Sequence, residues 1–476
     1  MKIHSLISFR NIRRQNLPYI AVWILYYAWV IVFTTWWTAS PLTDGVYGTE
    51  TRTMVHSVNL IASAVLVCLF KREWFAWASK IGAVCLAASL AVFLTAKNPS
   101  LRFGAAFVLA VSMGCVNVAI LSPFVFVLNN TEKFYSVVFS NVLISALVLA
   151  ELLDLASVTS GAVFSSVMLC VSVAPIIFFR KRDMAAAYPE NFAFVPKINK
   201  FVYFTVFLNC VYAVLCKGVG KMFLLSAARQ TLFDMEPLFY AGAVGGCALY
   251  YAGYVFLKNS NQFTWNVTFS AFVTSMLLYV FCAQNNFAMA VFAVLLGVSS
   301  TMGMINIYYI LGVIGKKYFS IKYVRVSIIL IGICGGLSGL TLGSWASASP
   351  AGAGIAAAVI SAITMVILLS LSPWLTRAYF SDKWAEDSKM PDVNTEKYFS
   401  KFDEYGLSKR EREICMLLLK GYTMRQSGSV LDISYATVNT YCTSLYRKLD
   451  INSRTELLVL FKDHIAAAAG PPKDRV

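Results

Sequence analysis

Residues 406–461 read GLSKREREICMLLLKGYTMRQSGSVLDISYATVNTYCTSLYRKLDINSRTELLVLF, and this stretch decides how the far end of the chain folds. Ser408 is placed to cap a helix whose third position is Glu411. A serine oxygen and a glutamate three residues on satisfy the amide groups that a helix start leaves open. Behind them Ile414, Leu417 and Leu418 recur at the spacing of one helical face, and Gly421 stops the pattern. A short helix is expected near 423–431. The turn Asp432–Ile433–Ser434 leads into a longer one, on which Val438, Leu445 and Leu449 mark the buried face. A fourth begins after Ser453, with Glu456 three residues on and Leu457, Leu458, Leu460 and Phe461 to bury. A short helix, a tight turn and a longer helix are the parts of a helix-turn-helix, whose later helix enters the major groove of DNA.

The words Leu-Ser-Lys-Arg-Glu-Arg-Glu, Ile-Ser-Tyr-Ala-Thr-Val-Asn-Thr, Leu-Tyr-Arg-Lys-Leu and Ser-Arg-Thr-Glu-Leu resemble the LuxR-type DNA-binding domain over about Tyr405–His464. The resemblance implies a four-helix DNA reader that often dimerises through its last helix. Carried onto this chain, the residues meeting bases and phosphates are Asn439, Thr440 and Thr443, with Thr437, Arg447 and Lys448 nearby. Some positions depart from the family. Asn439 stands where a lysine is usual and Tyr441 where a histidine is usual. Gln426, Ser427 and Gly428 replace a usual Glu-Ile-Ala, and a glycine there costs about 1 kcal/mol of helix propensity. Nine basic and seven acidic residues between Glu404 and Asp463 leave this region a net charge of only +2.

The rest of the chain has another solvent. Of 476 residues, 58% are hydrophobic and 13% charged, and mean hydropathy is +0.66. A soluble domain carries about 25% charged residues and has nowhere to hide so much apolar surface. Residues 1–375 are therefore expected in lipid, 376–404 as a cytoplasmic linker interrupted by Pro391, and 405–470 as the DNA-binding domain. Apolar runs near 19–39, 54–70, 77–96, 103–128, 134–156 and 158–179 each approach the roughly 20 residues that cross a bilayer. A polar break, Arg180–Lys200, follows. Six more fall near 201–217, 236–257, 263–283, 287–314, 321–345 and 351–373. The expected fold class is all-α: a polytopic membrane helix bundle of about twelve spans, six and six, with a C-terminal four-helix helix-turn-helix domain.

Basic residues orient the spans. Lys71, Arg72, Lys80, Lys133, the central cluster, Lys258, Lys316, Lys317 and Lys322 fall in alternate loops, against Arg52, Lys97, Arg102 and the exception Lys217–Arg229 in the others. Positive loops stay inside. This predicts a multi-pass protein of the cell inner (cytoplasmic) membrane with an uncleaved first span and both termini cytoplasmic, which brings the DNA reader to the side where DNA is. Six spans, a basic loop and six more resemble the major facilitator superfamily, whose halves are repeats that rock about a central site.

Ionisable and amide side chains inside a membrane are costly and often functional. Glu151 and Asp154 share one face near the outer end of span five. Lys217 and Lys221 flank Gly218 and Gly220 near the outer end of span seven, a spacing that suggests an unwound segment beside a ligand cavity. Asn117, Asn209 and Asn306 fall in spans four, seven and ten. With Tyr26 and Tyr27 of span one, these lie on the cavity-lining helices of the resembled fold. An amide in lipid also serves as glue between helices. Gly332, Gly335, Gly336, Gly339 and Gly343 on span eleven read as close helix packing, since no Gly-Lys-Ser follows. Trp23, Trp29, Trp36 and Trp37 read as interface anchors. The eleven cysteines include no Cys-x-x-Cys pair and the chain has three histidines, so neither a metal site nor a cofactor is expected. No nucleophile, base and acid fall together, and an enzyme is not expected. The reading is a membrane-bound transcriptional regulator whose partners are DNA, the lipid bilayer, a small-molecule ligand and a second copy of the C-terminal domain; the alternative is a secondary transporter with a regulatory cytoplasmic tail.

Overall fold

The computed structural model describes residues 9–39, 46–69, 75–153, 161–179, 203–230, 235–256, 260–282, 285–317, 321–378, 402–419, 422–431 and 433–461. Among these residues the chain is helical, with no strand. Contacts divide it into two compact units.

Among the described residues the first unit holds twelve helical passes: α1 (Leu17–Ala39), α2 (Val46–Leu69), α3 (Phe75–Thr95), α4 (Pro99–Phe126), α5 (Asn130–Leu152) and α6 (Gly161–Val173), then α7 to α12. The seventh pass, α7, is continuous but changes winding, from Tyr203–Tyr212 through a π-helical Ala213–Val219 to Gly220–Gln230. After it come α8 (Glu236–Phe256), α9 (Ser260–Tyr279) and α10 (Asn286–Lys317). The eleventh pass, α11, has the same construction as α7: Ile321–Ile333, a π-helical Cys334–Gly339 and Leu340–Ala346. The twelfth, α12, is Pro350–Ala378. Six of the passes among the described residues are long and apolar enough to cross a membrane. The central break and most of the linker expected at 376–404 lie outside the described residues.

Polar punctuation starts the helices. Asn98 caps α4 by accepting from the Ser100 amide at 2.9 Å, with Pro99 at the first position. Asn129 and Glu132 form a reciprocal capping box on α5. Small residues then set the packing. On α8 a side chain at Gly242 would run into the Val294 backbone of α10, and one at Gly297 of α10 into the Phe239 carbonyl. Backbones that close are what small residues allow where lipid supplies no hydrophobic drive.

The first six passes pack among themselves, as do the last six. The two sets meet where α5 lies against α8 and α10, α4 against α10, and α2 against α11. Two expectations change here. The stretch around Gly218 is not unwound; it is helical with wider turns and runs on to Gln230. Trp23 and Trp29 are core residues, 1% and 0% exposed: Trp23 stacks on Phe124 of α4 at 3.8 Å, and the Trp29 indole donates to Ser165 of α6 at 3.2 Å.

The second unit holds α13 (Lys409–Leu419), α14 (Met424–Leu431), α15 (Tyr435–Lys448) and α16 (Arg454–Leu460). Ile414, Cys415, Leu418, Val438, Cys442, Leu445, Leu449, Leu457 and Phe461 close its core with Phe402 and Leu407. Leu458, expected inside, is 37% exposed, because the short α16 has room for one buried stripe and Leu457 takes it. Ser408 and Glu411 cap α13 as their spacing requires: the Ser408 amide donates to Glu411 at 2.7 Å.

Candidate functional site

The helix-turn-helix is built on Gly428. At the end of α14 its carbonyl accepts from the Ile433 amide at 3.0 Å, which turns the chain directly into α15. A Cβ at 428 would sit 2.8 Å from the Ile433 carbonyl oxygen. Glycine is thus the residue this tight turn takes, and the propensity it loses is offset by closeness. Ser427 is fully buried but leaves no unmet hydroxyl, since it donates back to the Thr423 carbonyl at 3.0 Å.

Ser434 caps α15, accepting from the Thr437 amide at 3.1 Å. The helix buries Val438, Cys442 and Leu445 and exposes the opposite side. All six residues expected to meet DNA, Thr437, Asn439, Thr440, Thr443, Arg447 and Lys448, are exposed. Asn439, Thr443 and Arg447 follow one another at four-residue intervals, hence along one line. Tyr435, which sequence reasoning passed over, opens the same helix at 54% exposed; its place in the first turn was the available signal.

The candidates are not equivalent. Thr440 donates to the Ala436 carbonyl at 3.0 Å and Thr443 to the Asn439 carbonyl at 3.0 Å. The Thr437 hydroxyl pairs with Ser434 at 2.8 Å. Lys448 turns inward, donating to Glu411 at 2.7 Å and to the Gly406 carbonyl at 3.1 Å. Glu411 also accepts from Ser444 at 2.6 Å. Burial pushes the Glu411 carboxyl up, but the bonds from Lys448, Ser444 and Ser408 outweigh it and hold the group at about 2. Burial pushes the Cys442 thiol up to about 11 and Cys415 in the same direction, so both are protonated packing groups.

The polar residues expected in the bundle do not gather at one place. The Asn117 amide of α4 donates to Asn59 at 3.1 Å and Ser63 at 3.3 Å, both on α2. Asn306 of α10 accepts from Thr264 of α9 at 2.9 Å. Lys217 and Lys221 are exposed and Glu151 half-buried; Asp154 lies outside the described residues. Part of the expected set, Asn209, Asn306 and Tyr27, does converge, around Tyr212. Tyr212 of α7 packs its ring against Gly303 of α10, donates to the Ser300 carbonyl and approaches Trp265 of α9 at 6.2 Å. One turn away on these two helices stand Asn209 and Asn306. Both Asn209 amide atoms, the Asn306 amide nitrogen and the Trp265 indole N–H are buried without a hydrogen-bond partner among the described residues. Trp23 and Tyr27 of α1 complete the neighbourhood: Trp23 meets Tyr308 of α10 edge-on at 5.3 Å, and the Tyr27 ring lies 5.9 Å from that of Tyr308. No group of three or more metal-ligating side chains occurs among the described residues.

Comparison with known proteins agrees with this division. Residues 406–461 match the model of bacterial regulatory proteins, luxR family. An HTH-type transcriptional regulator of Escherichia coli (strain K12), YhjB, is 38% identical over 58 residues, 12% of this chain and 29% of that protein. An HTH-type transcriptional regulator encoded in the exeN 3' region of Aeromonas salmonicida is 39% identical over 62 residues, 13% of this chain and 32% of that one. The chain thus spans about a third of the length of the curated relatives it matches. A bacterial homologue of the iron transporter ferroportin, in its outward-facing state, superposes on 79% of this chain and all of its own at a TM-score of 0.51 and 12% identity. The major facilitator superfamily transporter FucP covers 76% of this chain and 99% of its own at 0.47 and 14%. The first unit thus shares its helical fold with the ferroportin homologue, and the second holds the stretch that matches the luxR family model.

Proposed function

We propose that this protein is a membrane-bound transcriptional regulator, non-enzymatic, in which the twelve-pass unit senses a small molecule or the state of the bilayer and the C-terminal domain binds DNA. The observation that carries it is the exposed face of α15, set on a domain matching the luxR family model over 406–461 in the same chain as a lipid-type bundle. The distribution of basic loops supports an inner-membrane protein with both termini in the cytoplasm. The buried, unpartnered groups of Asn209, Asn306 and Trp265 beside Tyr27 and Tyr308 support a ligand centre between the halves, because buried polar atoms ask for partners. Glu151, Lys217 and Lys221 flank its outer mouth, while Asn117 joins α2 to α4. A ligand preferring one arrangement of the halves would shift its population and alter how two DNA-binding domains are presented.

Crosslinking the intact protein to the chromosome and mapping the bound DNA tests the reading. A small set of sites with dyad symmetry is the expected result and would also show paired binding. Uniform recovery across the genome would sink it. The transporter-type fold favours one other reading, a secondary transporter with a regulatory tail. Gradient-driven solute accumulation in proteoliposomes, with chromosomal occupancy indifferent to that solute, would select it.

A further inference from the structure

Taking the DNA-binding assignment above as its premise, we propose that Asn439 selects an adenine in the major groove of the operator, with the methyl groups of Thr440 and Thr443 set against neighbouring thymines.

The hydrogen-bond inventory of α15 leads there. Thr440 and Thr443 have already given their hydroxyl protons to backbone carbonyls, each at 3.0 Å. A threonine so committed can accept a hydrogen bond and offer its methyl, but it has no proton for the paired acceptors N7 and O6 of guanine. Lys448 is held by Glu411 and Gly406. On the outer line of α15, Asn439 is exposed and keeps a donor and an acceptor side by side on one planar amide. Adenine presents the complementary pair in the major groove, an N7 acceptor beside an N6 donor; guanine presents two acceptors, so the asparagine carbonyl would face a like group. Asn439 lies in the second turn after the Ser434 cap, in the part of a recognition helix that reaches base edges. Thr443 follows one turn later, where an acceptor and a methyl suit an A·T-rich neighbourhood. A lysine at 439 would be a donor only, suited to guanine or phosphate. The departure at this position is thus a change of base rather than the loss of a contact.

The test uses the full chain in lipid nanodiscs and selection from a random DNA pool at low salt. The wild type should enrich a half-site with one adenine preferred by roughly tenfold over other bases. Asn439→Ala should flatten that position alone and leave the rest of the motif and the thermal melt unchanged. In the selected site, 7-deaza-adenine at that position, which lacks the N7 acceptor, should weaken wild-type binding and leave Asn439→Ala binding unaffected. A motif unchanged by Asn439→Ala, or a 7-deaza penalty equal in both proteins, overturns this inference while leaving the regulator reading intact. A wild-type chain that retains no DNA of any sequence overturns both.

Discussion

Lys448 lies on the exposed side of α15, yet its charge is spent within the domain. Its ammonium ties the end of α15 to Glu411 at the start of α13, 2.7 Å away, with the carboxylate side chain only 5% exposed. A hydrogen bond to a charged group is worth about 1.5–3 kcal/mol, and half-exposure of the lysine reduces it. Lys448→Met is therefore expected to lower the stability of this domain by about 1–2 kcal/mol in a thermal melt. It should leave the slope of log affinity against log salt unchanged; a slope smaller by about one would make Lys448 a phosphate contact instead. The same node sets an acid limit. The Glu411 carboxyl is held at about 2 in the folded domain, against 4.5 for the free group. Its contribution is fully present above the unfolded value and disappears as pH falls through the folded one. The melting temperature should drop between about pH 4.5 and 2, and Glu411→Gln should remove that part of the drop. The cap of Ser408 and Glu411 was legible because it spans three residues. The bond from Lys448 to Glu411 was not, since it links side chains 37 positions apart and needs α13 and α15 already packed. Gly428 read as a weak helix residue because the carbonyl that excludes its Cβ belongs to the following turn.

Two of the twelve passes, α7 and α11, contain a π-helical stretch, and the two stretches face each other. A Cβ on Gly339 would lie 2.9 Å from Gly218 Cα and 2.9 Å from the Val214 carbonyl oxygen. One turn on, a Cβ at Gly343 would meet Met222 at 2.9 Å, and one turn back a Cβ at Gly335 would lie 3.3 Å from the Ala213 methyl. The glycines four apart form a seam along which backbone lies on backbone, as their spacing in sequence implies. Lys217, Gly218 and Gly220 marked this place in sequence as irregular, but as an unwound segment; that the helix continues with wider turns shows itself only against the partner helix. Such turns concentrate at functional positions. Gly339→Ala, which meets backbone and cannot be relieved by a rotamer, is expected to cost about 1–3 kcal/mol. It should appear as a lower melting temperature of the purified full chain, whereas Gly354→Ala, with nothing within 4 Å of its Cβ, should change little. Equal melts for the two variants would mean that the seam can part freely.

Across the membrane unit, three cations reach from one six-helix set to the other, and each finds a backbone carbonyl. Lys133 at the start of α5, fully buried, donates to the Gly312 carbonyl of α10 at 2.7 Å. Lys316 near the end of α10 donates to the Val127 and Leu128 carbonyls just past α4, at 3.3 and 2.9 Å. Arg325 of α11 donates to the Val67 carbonyl in the last turn of α2 at 2.8 Å. The carbonyl end of a helix is its negative end and attracts cations, so each half caps helices of the other. All three lie at one end of the bundle, the end that the loop charges predict to face the cytoplasm, and they tie the two sets together there. The sequence showed Lys133 and Lys316 as inner-loop charges and nothing more, because a backbone carbonyl leaves no mark in sequence. Removing the charge at Lys316, whose ammonium takes two of these carbonyls, withdraws about 1.5–3 kcal/mol from the arrangement in which the two sets meet here. That shifts the balance of the halves by roughly one to two powers of ten. If the bundle steers the DNA reader, Lys316→Met should lengthen the distance between spin labels on the α4–α5 turn and the end of α10. It should also change chromosomal occupancy of the intact protein. A lengthened distance with unchanged occupancy would sever the bundle from gene control and leave the transporter reading in its place.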